Sequence, residues 1–180
     1  MRFLILCLAM VFSDPALAAD PLDAARAPGA VLLMRHATAP GTGDPSGMRL
    51  GDCSTQRNLS DAGRDEARAI GARLRDAGIS FGQILASEWC RTTETANLLG
   101  LGPVTPFPPA NSFFGNRATA DQQTAQVLDH LAALPEGDRV LIVTHQVNIT
   151  ALTGITPRSG EIVVARRGAS GLEVLGRLPP

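Results

Sequence analysis

The sequence predicts an α/β fold, a three-layer αβα sandwich around a mostly parallel central sheet. Three observations carry that expectation. Short runs rich in Val, Ile and Leu alternate with longer segments of helical periodicity. The helical segments have recognisable start and stop residues, and strands alternating with helices build βαβ units whose sheet is covered on both faces. The runs ending at Met34 and Thr144 are followed at once by Arg35-His36 and by His145, at the carboxyl edge where such sheets bind ligands.

The strand-like runs are Ala30 to Met34, Gln83 to Ala86, Val140 to Thr144, Glu161 to Ala165 and Leu172 to Leu175. The first long helix follows Ser60, whose hydroxyl suits an N-cap. Asp61, Asp65 and Glu66 sit near its positive end, Ala67, Ile70, Leu74 and Ala77 share one face, and Gly78 stops it. Thr92 to Leu99 reads as a shorter helix ended by Gly100. Asp121 to Leu134 reads as a third, with Val127, Leu128, Leu131 and Leu134 inward before Pro135. His130 falls on its polar side and is expected to be solvated. The Pro-rich stretch from Gly102 to Asn116 reads as a loop.

The chain has 180 residues, enough for one core and little more. Its 16 basic and 17 acidic side chains leave a formal charge of −1, so no overall field draws it to nucleic acid or to an anionic membrane. Any anion site must be local. Residues 1–19 carry Arg2, an apolar run from Phe3 to Phe12, Pro15 and the small-residue sequence Ala16-Leu17-Ala18, the layout of a secretory signal peptide. The apolar run is about half the ~20 residues of a spanning helix. The expectation is a periplasmic or secreted protein without stable membrane insertion after cleavage, and a single domain over 27–180.

Removal of the signal leaves two cysteines, Cys53 and Cys90. In an oxidising compartment they can pair, or they can remain two buried thiols.

The functional signal lies at the strand ends. Arg35 and His36 follow the first strand, Arg91 sits at a strand-to-helix turn, and His145 follows "VLIVT". A cation at a helix start is unfavourable unless an anion is nearby. Two imidazoles and two guanidiniums on one rim describe a pocket for a phosphoryl group, because Arg matches phosphate oxygens bidentately. No "GxxxxGK[ST]" is present, so this is not a nucleotide P-loop, and no close His/Cys spacing suggests a metal site.

These residues also carry a family resemblance. "LMRHATAPG" resembles the Arg-His-Gly opening of the histidine phosphatase superfamily (phosphoglycerate mutase-like), with Ala37 in place of Gly. "RNLSDAGRDEARAIGARL", "ASEWCRTTETA" and "VLIVTHQ" are similar to its next three segments, in the same order. The short insert between them resembles the compact phosphohistidine phosphatase branch. The resemblance implies that His36 is the nucleophile that becomes phosphorylated, with Arg35, Arg91 and a protonated His145 around the transferred group and no cofactor or metal. Thr42 and Arg57 take the places of substrate contacts. Typical members supply a carboxylic acid, either a Glu after the third segment or an Asp following the second histidine. Here those places read "PPANSFFGN" and Gln146, leaving Asp44, Asp52 and Glu88 as nearby acids.

The resemblance also brings Cys53 and Cys90 to the pocket rim, which implies a disulfide between them. The expected activity is an exported, metal-independent phosphatase acting on a small phosphomonoester or phosphoramidate, an envelope sugar phosphate among the candidates. The alternative is a phosphate-binding protein of the cell envelope that has lost turnover.

Overall fold

A computed structural model describes residues 20–180, so the expected signal peptide lies outside the described residues. Six strands form one sheet: β1 (Ala30–Arg35), β2 (Gln83–Ala86), β3 (Val104–Pro106), β4 (Val140–Thr144), β5 (Ile162–Gly168) and β6 (Gly171–Leu178). Their order across the sheet is β3-β2-β4-β1-β5-β6. The β3-β2, β2-β4 and β4-β1 pairs are parallel, whereas β1-β5 and β5-β6 are antiparallel. The expected mostly parallel sandwich is therefore present, completed by an antiparallel hairpin.

The helices are α1 (Pro21–Arg26), α2 (Asp61–Asp76), α3 (Cys90–Leu99), α4 (Ala120–Ala133) and α5 (Gln146–Thr153). Strand β1 shows how the layers form. Ala30, Leu32 and Met34 pack on one face with Ile70 and Leu74 of α2 and Ala96 and Leu99 of α3. Val31 and Leu33 pack on the other with Val127 and Leu131 of α4 and Ile149 of α5. Successive strand side chains point to opposite faces, so a strand covered on both sides is apolar throughout. Each fully buried Leu or Val contributes roughly 1.5–3 kcal/mol by leaving water.

Helix α2 follows its sequence closely. The Ser60 hydroxyl accepts from the Gly63 N–H at 3.0 Å, Arg73 and Arg75 occupy the negative end, and Gly78 has φ 69° after the last turn. Gly63 has a second role, because a side chain there would collide with the Thr38 carbonyl just beyond His36. The helix therefore lies directly against the loop that carries the first histidine.

Three elements were not expected from the sequence. Helix α1 is one short turn, capped by Asp20 and anchored by buried Ala25. Strand β3 is three residues at the sheet edge, where proline is tolerated. Helix α5 buries Val147, Asn148 and Ile149 in succession and so lacks an amphipathic period. His130 corrects the expectation of a solvated side chain. It is half-buried, with Nε2 3.0 Å from Gln83 Oε1 and its ring 4.8 Å from that of Phe107. The Gln83 amide and the Phe107 face supply partners on what the helical pattern marked as a polar side.

Cys53 and Cys90 are joined in a disulfide, with Cα atoms 5.7 Å apart. The bridge ties the segment before Arg57 to the first residue of α3. A hydrogen bond from the Cys90 N–H to Gln56 Oε1, 2.9 Å, runs beside it.

Candidate active site

Three adjacent parallel strands end together, and each is followed by a polar residue. His36 comes one residue after β1, His145 one after β4 and Ser87 one after β2. The sheet ladder extends to these positions: the His36 N–H donates to the Thr144 carbonyl at 3.0 Å, and the Ser87 N–H to the Val143 carbonyl at 3.1 Å. The imidazole centres stand 5.5 Å apart, nearly perpendicular. Arg35, Thr42, Asp44, Arg57 and Arg91 join the two histidines around one cavity of about 200 Å³. All six expected site residues therefore line a single pocket.

Hydrogen bonds fix the tautomer of His36. Its Nδ1 lies 2.8 Å from the Ala37 carbonyl, which only accepts, so Nδ1 carries the proton. The lone pair is then on Nε2, where the Arg91 Nε–H donates at 3.3 Å. Ala37 is held in turn by its N–H to Thr95 Oγ1, 3.1 Å, and that hydroxyl donates to the Arg91 carbonyl. The ring is 98% buried, and burial first, then the charges of Arg91, Arg57 and Arg35, push its pKa down to about 3, against a raising effect of the Ala37 bond. His36 is therefore a neutral imidazole with a free electron pair across the physiological range.

His145 is oriented in the opposite sense. Its Nδ1 faces an Arg91 Nη2–H at 3.5 Å, so Nε2 carries the proton and donates to Ser87 Oγ at 2.8 Å. Trp89 packs edge-on against the ring, 5.4 Å between centres. Full burial, then His36 and the arginines, push its pKa well below the usual value. The expected protonated His145 is thus corrected: the positive charge of the site resides on arginines.

Arg91 is the hub. Besides the two histidines, its Nη1 and Nη2 grip Asp44 Oδ1 and Oδ2 at 2.5 and 3.1 Å, and Trp89 Nε1 donates to Oδ2 at 3.0 Å. The Asp44 carboxylate answers the question raised by a cation at the start of α3. Burial raises its pKa, but Arg91 and Trp89 outweigh that and hold it below the ordinary carboxylate range. Arg57 donates from Nε to the Gly43 carbonyl, 2.7 Å, and from Nη1 to the Ala39 carbonyl, so it fixes the loop on which Thr42 and Asp44 sit. Arg35 donates Nη1 to the Pro157 carbonyl at 3.0 Å, while its buried Nε has no hydrogen-bond partner among the described residues.

The other two acids are engaged elsewhere. Asp52 caps the turn at Cys53–Thr55 and pairs with Arg49, and Glu88 accepts from Asn111 Nδ2 at 2.7 Å. Neither lines the cavity. The sequence reading missed Ser87 and Arg117, the latter an exposed cation at the mouth beside Phe114. Ser87 had a usable signal, since it holds the same place after its strand as the two histidines. Among the described residues, no group of three or more His, Cys, Asp or Glu is placed to hold a metal ion.

Residues 31–111 match the family model of the histidine phosphatase superfamily (branch 1). Over this segment, a little under half of the chain, the sequence is similar to the histidine phosphatase superfamily. The match ends before β4. Curated relatives include the mitochondrial serine/threonine-protein phosphatases Pgam5 of Drosophila grimshawi and Drosophila virilis, 30% and 32% identical over 69 residues. That stretch is 38% of this chain, and it spans about a fifth (21%) of those proteins. Among solved structures, the protein histidine phosphatase SixA with tungstate superposes with a TM-score of 0.62 at 21% identity, covering 84% of this chain and 97% of that one. A putative phosphohistidine phosphatase SixA from Agrobacterium tumefaciens gives 0.59 at 20% identity, covering 85% and 99%. The near-complete coverage of these compact histidine phosphatases places the antiparallel hairpin inside the shared fold.

Proposed function

We propose that this chain is an exported, metal-independent phosphatase that hydrolyses a small phosphomonoester or phosphoramidate through a phosphohistidine at His36. One observation carries the reading. The unprotonated Nε2 of a buried, neutral imidazole is held by a backbone carbonyl behind it and faces a pocket lined by Arg35, Arg57 and Arg91.

In the first step Nε2 attacks phosphorus, the N–P bond forms, and the bond to the leaving oxygen or nitrogen breaks with its electron pair. The guanidiniums stabilise charge spread over the equatorial oxygens, which needs positioning and electrostatics more than covalent help. The unpartnered Arg35 Nε–H is a donor suited to one of those oxygens. His145, neutral at rest with its Nε2–H engaged by Ser87, borders the pocket beside Arg91. Water then attacks phosphorus, and Nε2 recovers its pair. The disulfide supports export, because such bridges persist in oxidising compartments. Envelope sugar phosphates belong to the substrate range, as do acyl and phosphoramidate compounds.

One observation favours a second reading, a phosphate-binding protein without turnover: Gln146 follows His145, and residues 107–117 contain no carboxylate. Labelling decides between them. Mature protein treated with a ³²P-labelled acyl or aryl phosphate is expected to give acid-labile, alkali-stable label that is absent in His36→Ala and unaffected by chelators. Release of inorganic phosphate with turnover supports the phosphatase. Phosphate bound without label or release supports the binding protein, and activity lost to chelator and restored by zinc overturns metal independence.

A further inference from the structure

We propose that Asp44 is the proton donor to the leaving group, and that the phosphoryl group itself arms it by displacing it from Arg91. The inference rests on the phosphatase reading and names a catalytic residue on a loop outside the two places where the family's acid was sought.

Three features converge on Asp44. Among the described residues it is the only carboxylate that lines the cationic cavity. It occupies both terminal nitrogens of Arg91, the planar fork that a phosphoryl group also requires. The Arg91 Nε–H points at His36 Nε2, and further N–H groups of Nη1 and Nη2 face the Arg57 carbonyl at 3.4 Å and His145 Nδ1 at 3.5 Å, so a phosphoryl group approaching His36 meets a guanidinium whose fork already holds an anion. The two anions compete for one cation, and a dianionic phosphoryl group carries the larger charge. Asp44 also stands on a segment turned by glycines on both sides, where Gly41, Gly43 and Gly47 have φ of 89°, 69° and 81°. These are angles at which non-glycine residues are strained.

Displacement changes what the carboxylate can do. While paired with Arg91 it is an ion and has no proton to give. Separated from that cation and facing a phosphoryl dianion, it gains proton affinity, because a like charge nearby disfavours the ionised form. It then takes one proton from solvent. As Nε2 attacks, the P–O bond breaks with its pair going to the leaving oxygen, and the Asp44 carboxyl delivers its proton there, leaving an alcohol, phospho-His36 and an Asp44 carboxylate. In the second step that carboxylate accepts a proton from the attacking water as the N–P bond breaks. When Asp44 returns to the Arg91 fork it loses this proton and competes with the inorganic phosphate product. One side chain thus serves as acid, base and product-displacing anion.

The test is single-turnover phosphorylation of His36 by a series of phosphate monoesters of rising leaving-group pKa, with Asp44→Asn beside the native protein. General acid catalysis contributes roughly 100- to 10,000-fold. Asp44→Asn is expected to lose a factor in that range on alkyl phosphates, to lose little on acyl phosphates, and so to turn a shallow dependence on leaving-group pKa into a steep one. Inorganic phosphate is expected to bind Asp44→Asn more tightly, which also verifies that the pocket has folded. Asp44→Glu, which keeps the carboxyl, is expected to restore part of the alkyl phosphate rate.

An Asp44→Asn protein with the native dependence on leaving-group pKa, or one that loses the same factor on every substrate, overturns the proposal. So does a rate gained on alkyl phosphates, which would make Asp44 a blocking anion only. Absence of label on native His36 with an acyl phosphate would instead defeat the phosphatase reading, leaving the two failures distinct.

Discussion

Lowering the pH is expected to destabilise the protein through the buried imidazole of His36. In the unfolded chain His36 takes a proton at its ordinary pKa of 6.5, but in the folded chain only near 3. Stability from this group is therefore complete above pH 6.5 and is lost as pH falls towards 3, because the unfolded state binds a proton that the native state refuses. For one such group the loss between pH 6 and pH 4 is about 2–3 kcal/mol, out of about 5 kcal/mol for the whole shift. His145 is shifted in the same direction and adds to the slope. The assay is urea unfolding at pH 6, 5 and 4 with the disulfide intact, comparing the native protein with His36→Gln, whose side chain does not titrate. The difference in slope isolates His36 even if the substitution changes stability at every pH. Parallel pH dependences in the two proteins would refute the argument, since they would mean that the imidazole is protonated equally in both states.

Other perturbations follow from the same geometry. Ser87→Ala removes the acceptor of the His145 Nε2–H and leaves a buried donor unpaired, a cost of about 1–3 kcal/mol; the rate of His36 phosphorylation is expected to fall roughly tenfold or more, with phosphate affinity little changed. Replacing Cys53 and Cys90 by Ser removes a bridge between residues 37 apart in sequence, worth about 4 kcal/mol in the chain-entropy model, and denatured native protein is expected to show no free thiol at these positions before reduction. Gly63→Ala forces a methyl group against the Thr38 carbonyl; thermal unfolding is expected to report a loss of roughly 1–3 kcal/mol, with activity reduced because the loop after His36 must move.

What the sequence revealed and what it hid divide by the range of the interaction. The strands β1 and β4 and helix α2 were legible because their patterns are local: an unbroken apolar run, or a Ser60 cap followed by a 3.6-residue period. The convergence of His36, Arg91 and His145 was legible because carboxyl ends of parallel strands share one edge. Helix α5 was hidden because both its faces are covered, which erases the period, and α1 and β3 because they are too short to show one. The Asp44–Arg91 pair spans 47 residues and depends on a glycine-turned loop whose path no local pattern fixes. The charge state of His145 was misread for a related reason, since burial and three arginines from separate segments decide it.

The pairing of Arg35 with Thr144 in the β1-β4 ladder has a mechanical meaning for how this molecule can change. Because both histidines are continuations of neighbouring strands, their separation is set by the backbone spacing of the sheet, and a register slip would carry one of them away from the other. Other groups that line the cavity, Thr42 and Asp44 on one segment and Phe114 and Arg117 on another, stand instead on connections between elements. Histidine spacing and pocket wall are thereby set separately. Exchanging residues 111–117 as a cassette is expected to reshape the mouth and leave the frame of the two imidazoles untouched, whereas exchanging residues 40–50 also removes Asp44 and its pairing with Arg91.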